Sequence, residues 1–232
     1  MSLYLIILIL VIAVPLALSF EKNLMLFKRW KYLMPAIFIS MALFISWDII
    51  FTHFGYWVFN PRYNSGIYLF KLPLEEYLFF IAIPYACAFS FYAIKFHFPL
   101  YKTGKKTTLI LLVVLIVGSL IVAFSNMNRV YTFVSPLVLI IIILVSFFFA
   151  REVLQYYFAI FPILLVPFFI VNGILTGTGI DQEVFSYNPL VIAGIRIFTV
   201  PLEDIFFAGS LLLTVLMLTD VFENRLKIRI AK

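Results

Sequence analysis

The sequence predicts an all-α integral membrane protein whose seven transmembrane helices form a parallel 3+1+3 internal repeat. Three observations predict it. The 232 residues are 65% hydrophobic and 12% charged, with a mean hydropathy of +1.13, whereas a soluble domain carries about 25% charged residues. Seven apolar stretches each approach the roughly 20 residues that cross a bilayer core. One stretch occurs twice without a gap, WVFNPRYNSGIYLFKLPLEEYLFF from Trp57 and FSYNPLVIAGIRIFTVPLEDIFFA from Phe185, at an offset of 128.

The apolar stretches run about 3–20, 33–54, 73–95, 107–125, 130–150, 154–175 and 198–219. The first reads as a retained helix. It lacks a basic leading segment, contains Pro15, and has no small-residue cleavage site before Glu21-Lys22. The chain is one membrane domain over 1–232, with repeat 1 about 1–95, a linker helix about 107–125 and repeat 2 about 130–219. One cysteine, Cys87, excludes a disulfide framework and a cysteine metal site. The isoelectric point near 9.4 is explained by loop charges that orient the helices rather than by nucleic acid.

Those charges give the orientation. Lys22, Lys28, Arg29 and Lys31 follow the first stretch, and Lys95, Lys102, Lys105 and Lys106 the third. Arg151 follows the fifth, and Arg225, Lys227, Arg229 and Lys232 the last. Only Arg62, Lys71, Arg129 and Arg196 remain for the opposite side. The expectation is a multi-pass protein of the cell (inner) membrane, with its N-terminus outside, its C-terminus cytoplasmic and both copies of the motif on the outer side.

The repeat extends upstream across one gap. Asp48-Ile-Ile-Phe-Thr52 and Asn172-Gly-Ile-Leu-Thr176 end the second and sixth stretches at an offset of 124. Four helices separate equivalent elements, so both copies point the same way. A pseudo-two-fold axis along the membrane normal then brings the two Pro-Leu-Glu segments face to face, and a shared site is expected at such an interface.

Pro73 and Pro201 suit the first turn of a helix, which puts Glu75 and Glu203 in that turn. An acid there complements the helix dipole by about 0.3–1 kcal/mol. Its recurrence in a distant copy, at the edge of an apolar helix, points instead to function. Glu75 shares a face with Phe79, and Glu203 with Phe207, by i,i+4 spacing. Each copy therefore presents a carboxyl with an aromatic ring one turn deeper. Glu76 and Asp204, about 100° round the helix at 3.6 residues per turn, are either supporting acids or solvated caps. Asp48, charged beside Trp47 in an apolar run, is read as functional. Asn172 is a helix-end hydrogen-bonding residue and a candidate for substrate contact. His53 has no counterpart and is read as structural. Asn60-Pro61 and Asn188-Pro189 read as turns, with Gly66 and Gly194 as close-packing or positive-φ positions.

The run Trp47-Asp48, Thr52, GYWVFN, Gly66 and LPLEEYLFF, followed by NGILTG, Tyr187-Asn188, Gly194, Arg196 and PLEDIFF, resembles the lycopene cyclase domain family. These are small integral-membrane carotenoid cyclases of some bacteria and archaea and the cyclase region of fungal bifunctional enzymes. The resemblance covers essentially the whole chain, as a fused two-repeat form. It implies an enzyme that cyclises the ψ ends of lycopene to β-rings through γ-carotene to β-carotene, a redox-neutral intramolecular lyase or isomerase. It also implies lycopene and membrane lipid as partners. The chemistry needs no cofactor, metal or hydride, and the chain has no GxGxxG fingerprint. A homo-oligomer is compatible with it.

The residues fit that chemistry. Protonating carbon needs a poorly hydrated carboxyl, and a second carboxylate can take a proton away. The expected acid/base pair is Glu75 and Glu203, supported by Glu76, Asp204 and Asp48. Phe79, Phe207, Trp47 and Trp57 are expected to shield a cation, and Asn60, Asn172 and Asn188 are the polar candidates for substrate binding. The alternative from another class is a proton-coupled small-molecule transporter with parallel repeats. Against it, helix-breaking residues are not matched between copies at mid-membrane, apart from Pro162 and Pro167 in one helix. A retinal protein needs a lysine in the last helix, and Thr199–Thr219 contains none. A polyprenyl transferase needs Asp-rich diphosphate motifs, which the chain lacks.

Overall fold

The structure, a computed structural model, describes residues 1–230. Lys232 lies outside the described residues, and the side chains of Lys227 and Arg229 are likewise not described. The described residues form seven α-helices: α1 (Leu3–Leu18), α2 (Trp30–His53), α3 (Leu74–His97), α4 (Lys105–Phe124), α5 (Val130–Phe149), α6 (Arg151–Leu175) and α7 (Glu203–Ile230). The last six are long and apolar enough to cross a membrane. With 16 residues, α1 spans about 24 Å.

Among the described residues there are also two 3-10 turns, Leu26–Arg29 and Pro61–Tyr63, and six short strands: β1 (Trp57–Phe59), β2 (Tyr68–Leu69), β3 (Leu72–Pro73), β4 (Phe185–Tyr187), β5 (Arg196–Ile197) and β6 (Val200–Pro201). They correct the expected helix starts. Pro73 and Pro201 are not first-turn residues; they end the hairpins β2–β3 and β5–β6. Pro73 has extended backbone, at φ −65° and ψ 151°, and stands immediately before α3. Proline suits both places because no ladder or helix bond is asked of its missing N–H. The last helix consequently begins at Glu203 rather than near 198. Both hairpins turn through a phenylalanine at positive φ, Phe70 at 49° and Phe198 at 55°, and Gly66 and Gly194 match at 78° and 81°. The repeated residues thus build repeated backbone.

The two copies meet at β1 and β4. These strands pair antiparallel with Trp57 opposite Tyr187, Val58 opposite Ser186 and Phe59 opposite Phe185. Val58 and Ser186 are equivalent positions of the two copies, so a local two-fold axis runs through their pairing. Helix contacts follow the same plan. Within copies, α1 packs on α3 and α5 on α7; between copies, α2 packs on α7 and α6 on α3. α4 lies against α5 and α6.

Ion pairs tie connections at matching ends. Arg29, before α2, meets Glu223 near the end of α7 at 3.5 Å, and Lys102, before α4, meets Glu152 at 3.2 Å. At the other end Arg62 meets Asp181 at 3.0 Å. The main apolar cluster occupies the first of these ends, around Leu33, Phe91, Leu154 and Leu216. An aromatic-rich cluster around Phe44, Trp57, Phe80 and Tyr131 lies beneath the strands.

Candidate active site

The first turns of α3 and α7 carry adjacent acids, and the structure separates their positions. Glu75 and Glu203 are each 1% exposed and do not line the central cavity. Glu75 accepts from the Ser65 backbone N–H at 2.6 Å, from Ser65 Oγ at 3.2 Å and from Ser2 Oγ at 2.6 Å. Glu203 accepts from the Ala193 N–H at 2.6 Å and from Thr132 Oγ1. Ser65 and Ala193 are equivalent positions. In each copy this acid joins its own motif loop to the start of the copy's first helix. Glu203 Oε2 is buried with no hydrogen-bond partner among the described residues.

Glu76 and Asp204 turn the other way. Both line one cavity of about 70 Å³, together with Asp48, Asn172, Tyr4, Tyr131 and Tyr187. On α3 the cavity face includes Glu76, Phe79, Ile83, Pro84 and Cys87; on α7 it includes Asp204, Phe207 and Leu211. Glu76, Phe79 and Ile83 are the equivalents of Asp204, Phe207 and Leu211. The spacing from acid to ring on that face is i,i+3, so Phe79 and Phe207 accompany the second acid of each pair rather than the first.

The two cavity acids are dressed differently. Asp204 receives three donors: Tyr131 OH at 2.9 Å, Tyr187 OH at 2.6 Å and Asn172 Nδ2 at 2.6 Å. Glu76 receives Tyr4 OH at 2.7 Å and lies within hydrogen-bonding reach of the Asp48 carboxyl. Asp48 is 3% exposed, and its Oδ1 has no donor partner among the described residues. A hydrogen bond between two carboxyl groups requires a proton on one of them, and two bare carboxylates in contact repel. Asp48 and Glu76 thus bring two carboxyl groups together, whereas Asp204 is surrounded by three donors.

Tyr187 lies outside the membrane-spanning helices. Burial, and then the neighbouring Asp204 charge, push its hydroxyl well above the usual tyrosine range, so it remains a donor at neutral pH.

Aromatic rings wall the cavity. Trp57, Phe79 and Phe207 line it. Trp57 packs edge-on to Tyr131 at 5.3 Å and to Tyr187 at 6.0 Å between ring centres. Trp47 does not line the cavity; it stands behind Phe207 at 5.4 Å and Tyr131 at 6.3 Å. Asn60 and Asn188 are also outside it. The Asn60 side chain accepts from Arg62 N–H and donates to Gln182 and Glu183 of the other copy's loop, and Asn188 Oδ1 accepts from Leu190 N–H. His53 sits at the surface with Lys71 Nζ 3.4 Å from its Nδ1.

Tyr4, Tyr131 and Tyr187 were not legible as site residues among 13 tyrosines and 28 phenylalanines. The available signal was a tyrosine at the start of the first helix of each copy, Tyr4 and Tyr131, where the helix begins beside a Pro-Leu-Glu segment.

Searches of curated proteins and of solved structures return no match. The family model described as lycopene cyclase matches residues 1–94 and 128–222. The two matched segments are the two copies, and the interval between them contains α4. Most of the chain is covered, and the buried acids and aromatic walls described above lie within the matched segments. This membrane protein, a carotenoid cyclase of two-repeat form, belongs to the lycopene cyclase family.

Proposed function

We propose that the protein is a lycopene β-cyclase, an isomerase that closes the ψ ends of lycopene to β-rings by way of γ-carotene. The observation that carries this reading is the convergence of Asp48, Glu76 and Asp204 on one apolar, aromatic-walled cavity. The Asp48–Glu76 pair gives its proton to the terminal double bond of a ψ end. The tertiary cation so formed is attacked by the next double bond along the chain. A carbon–carbon bond closes the six-membered ring and leaves a cation on a ring carbon. Asp204 removes the proton from the ring carbon joined to the polyene, which gives the β-ring. One proton enters and one leaves, so the product is an isomer of the substrate. The proton on Asp204 returns to the Asp48–Glu76 pair before the next turnover.

The faces of Phe79, Phe207 and Trp57 stabilise the passing cation, an interaction of about 0.5–2 kcal/mol per ring. Glu75 and Glu203 act through position. They fix the motif loops and so aim Glu76 and Asp204. The matched helix contacts and the β1–β4 pairing support a parallel 3+1+3 arrangement with α1 as a seventh crossing. The clustering of basic residues supports a cytoplasmic C-terminus in the cell membrane.

The test is expression in a bacterium that accumulates lycopene, with pigments separated by chromatography. The expected result is γ-carotene followed by β-carotene. Unchanged lycopene beside folded protein in the membrane overturns the reading.

A further inference from the structure

We propose that the substrate reaches the acids sideways from the bilayer, through a single cleft between α3 and α6 beside α1, and that the protein holds one end of a linear polyene at a time. The proposal rests on the reading of the cavity as a lycopene site.

A second cavity, of about 200 Å³, adjoins the first. The two share Phe79, Ile83, Cys87, Leu164, Phe168 and Asn172 as walls, so they form one path. Its outer part passes Ala86 and Ser90 of α3, Val171 of α6, and Val11 and Pro15 of α1. The surroundings of the mouth are apolar and uncovered: Val14 on α1 is 61% exposed, and Val166 and Ile170 on α6 are 63% and 62% exposed. In a membrane these residues face hydrocarbon. The path therefore leads from lipid to acid without crossing an aqueous surface.

The repeat predicts a second path, and among the described residues its equivalent is packed more tightly. The equivalent of the α3–α6 contact is the contact between α7 and α2. On α7, Thr214, Val215 and Leu218 stand where α3 has Ala86, Cys87 and Ser90. Leu211 through Leu216 are all buried, Thr214 and Val215 at 2% and 0% exposed, and α2 packs along α7. Ala86, Cys87 and Ser90 are only half-buried. Among the described residues the packing thus differs between the copies at the first two of these positions, while Leu218, like Ser90, is half-buried.

Size sets how much of the substrate is enclosed. Cavities of about 70 and 200 Å³ fall below the roughly 300–1,000 Å³ that encloses a drug-sized molecule, and a carotenoid is longer than that. One ψ end fills the inner cavity while the rest of the polyene lies in the cleft and the bilayer. The second ring then requires release, reversal and re-entry, and any linear polyene with a free ψ end qualifies whatever its far end carries.

The experiment uses full-length protein in phosphatidylcholine liposomes containing lycopene. Two readouts are taken: pigment turnover, and the circular dichroism that an achiral polyene acquires in its visible band when held in an asymmetric site. The second is measured in the Glu76→Gln background, where substrate stays unreacted. Ala86→Trp, Ser90→Trp and Val171→Trp obstruct the cleft from two helices; Ile110→Trp, on the exposed face of α4, is the control. Far-ultraviolet dichroism and the thermal midpoint establish that each variant is folded. The expected result is at least a tenfold lower kcat/KM and loss of the visible band in the cleft variants, with the control within twofold of the parent. Folded cleft variants with unchanged kcat/KM and an unchanged band overturn the proposal. A wild-type protein that gives a band sensitive to Ala86→Trp and Ser90→Trp but leaves lycopene unconverted supports the entrance and overturns the cyclase reading instead.

Discussion

Glu76 and Asp204 occupy equivalent positions of the two copies and line the same cavity, yet one faces a carboxyl and the other faces three donors. The repeat places two equivalent acids at one cavity, and their neighbours differ. The divergence lies one helix away, where copy 1 has Asp48 and copy 2 has Asn172. Asp48 lies within hydrogen-bonding reach of Glu76, and Asn172 donates a hydrogen bond to Asp204. A pair of carboxyls in unequal environments is the arrangement that divides acid from base.

Asp48→Asn and Glu76→Gln are therefore expected to lower kcat by about 10²–10⁴, the usual contribution of a positioned proton donor, with folding retained. Asp204→Asn is expected to lower kcat as well and, because the acid survives, to change the products. The ring cation then loses a different proton or is captured by water, giving ε-ring or hydroxylated pigment. Chromatography with mass detection separates these outcomes. An Asp204→Asn variant that makes only β-carotene at the parental rate removes Asp204 from the base role.

Glu75 and Glu203 give a contrasting prediction. Each accepts a part-buried backbone N–H and a hydroxyl. Losing an acceptor leaves donors unsatisfied at about 1–3 kcal/mol. Glu75→Ala and Glu203→Ala are expected to lower the thermal midpoint by several degrees, at roughly 2–4 °C per kcal/mol for a chain of this size. The Gln variants keep an acceptor oxygen and are expected to restore most of it. Turnover per folded molecule is expected to fall far less than in Glu76→Gln. Thermal unfolding in detergent, set beside turnover of the same preparations, checks both parts.

Much of this was legible in the sequence. The seven apolar helices, the repeat and the concentration of acids at Pro-Leu-Glu are properties of spacing and composition, and spacing survives without coordinates. The choice between Glu75 and Glu76 was not legible. Adjacent helical residues differ by about 100° in direction, and which one faces the cavity depends on where the hairpin sets the helix down. Positive φ at Phe70 and Phe198, without glycine at either place, hid those hairpins. The tyrosines were hidden by number, since a phenol on an apolar helix reads as packing until an acid is found beside it.

Tyr187 supplies a pH prediction. Its folded value is raised by burial and by the Asp204 charge, so folding favours the protonated hydroxyl. Stability from this group is level below the unfolded value of about 10 and declines as pH rises past it toward the folded value. Over the neutral to mildly alkaline range Tyr187 donates unchanged. Wild-type turnover is expected to show no alkaline loss below about pH 10 from this group, and the Tyr187→Phe variant is expected to keep the wild-type profile in that range at a lower plateau. A pH–rate series on both proteins checks it. An alkaline limb near neutrality that vanishes in Tyr187→Phe contradicts the assignment.

The rings give the last prediction. Phe79 and Phe207 sit one turn below Glu76 and Asp204 and belong to a continuous aromatic group, with Phe80 5.5 Å from Phe79 and 6.2 Å from Phe207 between ring centres. A neutral polyene gains little from a ring face beyond contact area, whereas a cation gains about 0.5–2 kcal/mol. The benefit appears as charge develops and so belongs to the transition state. Phe79→Leu and Phe207→Leu keep apolar volume and remove the quadrupole. They are expected to lower kcat by about 2- to 30-fold, the same energy expressed as a rate, with KM within about twofold and no shift in the acid limb of the pH profile. Phe→Tyr at either position retains the ring face and is expected to retain most of kcat. Steady-state turnover in liposomes distinguishes this from packing, because a purely structural ring would show its loss in the thermal midpoint and in KM rather than in kcat alone.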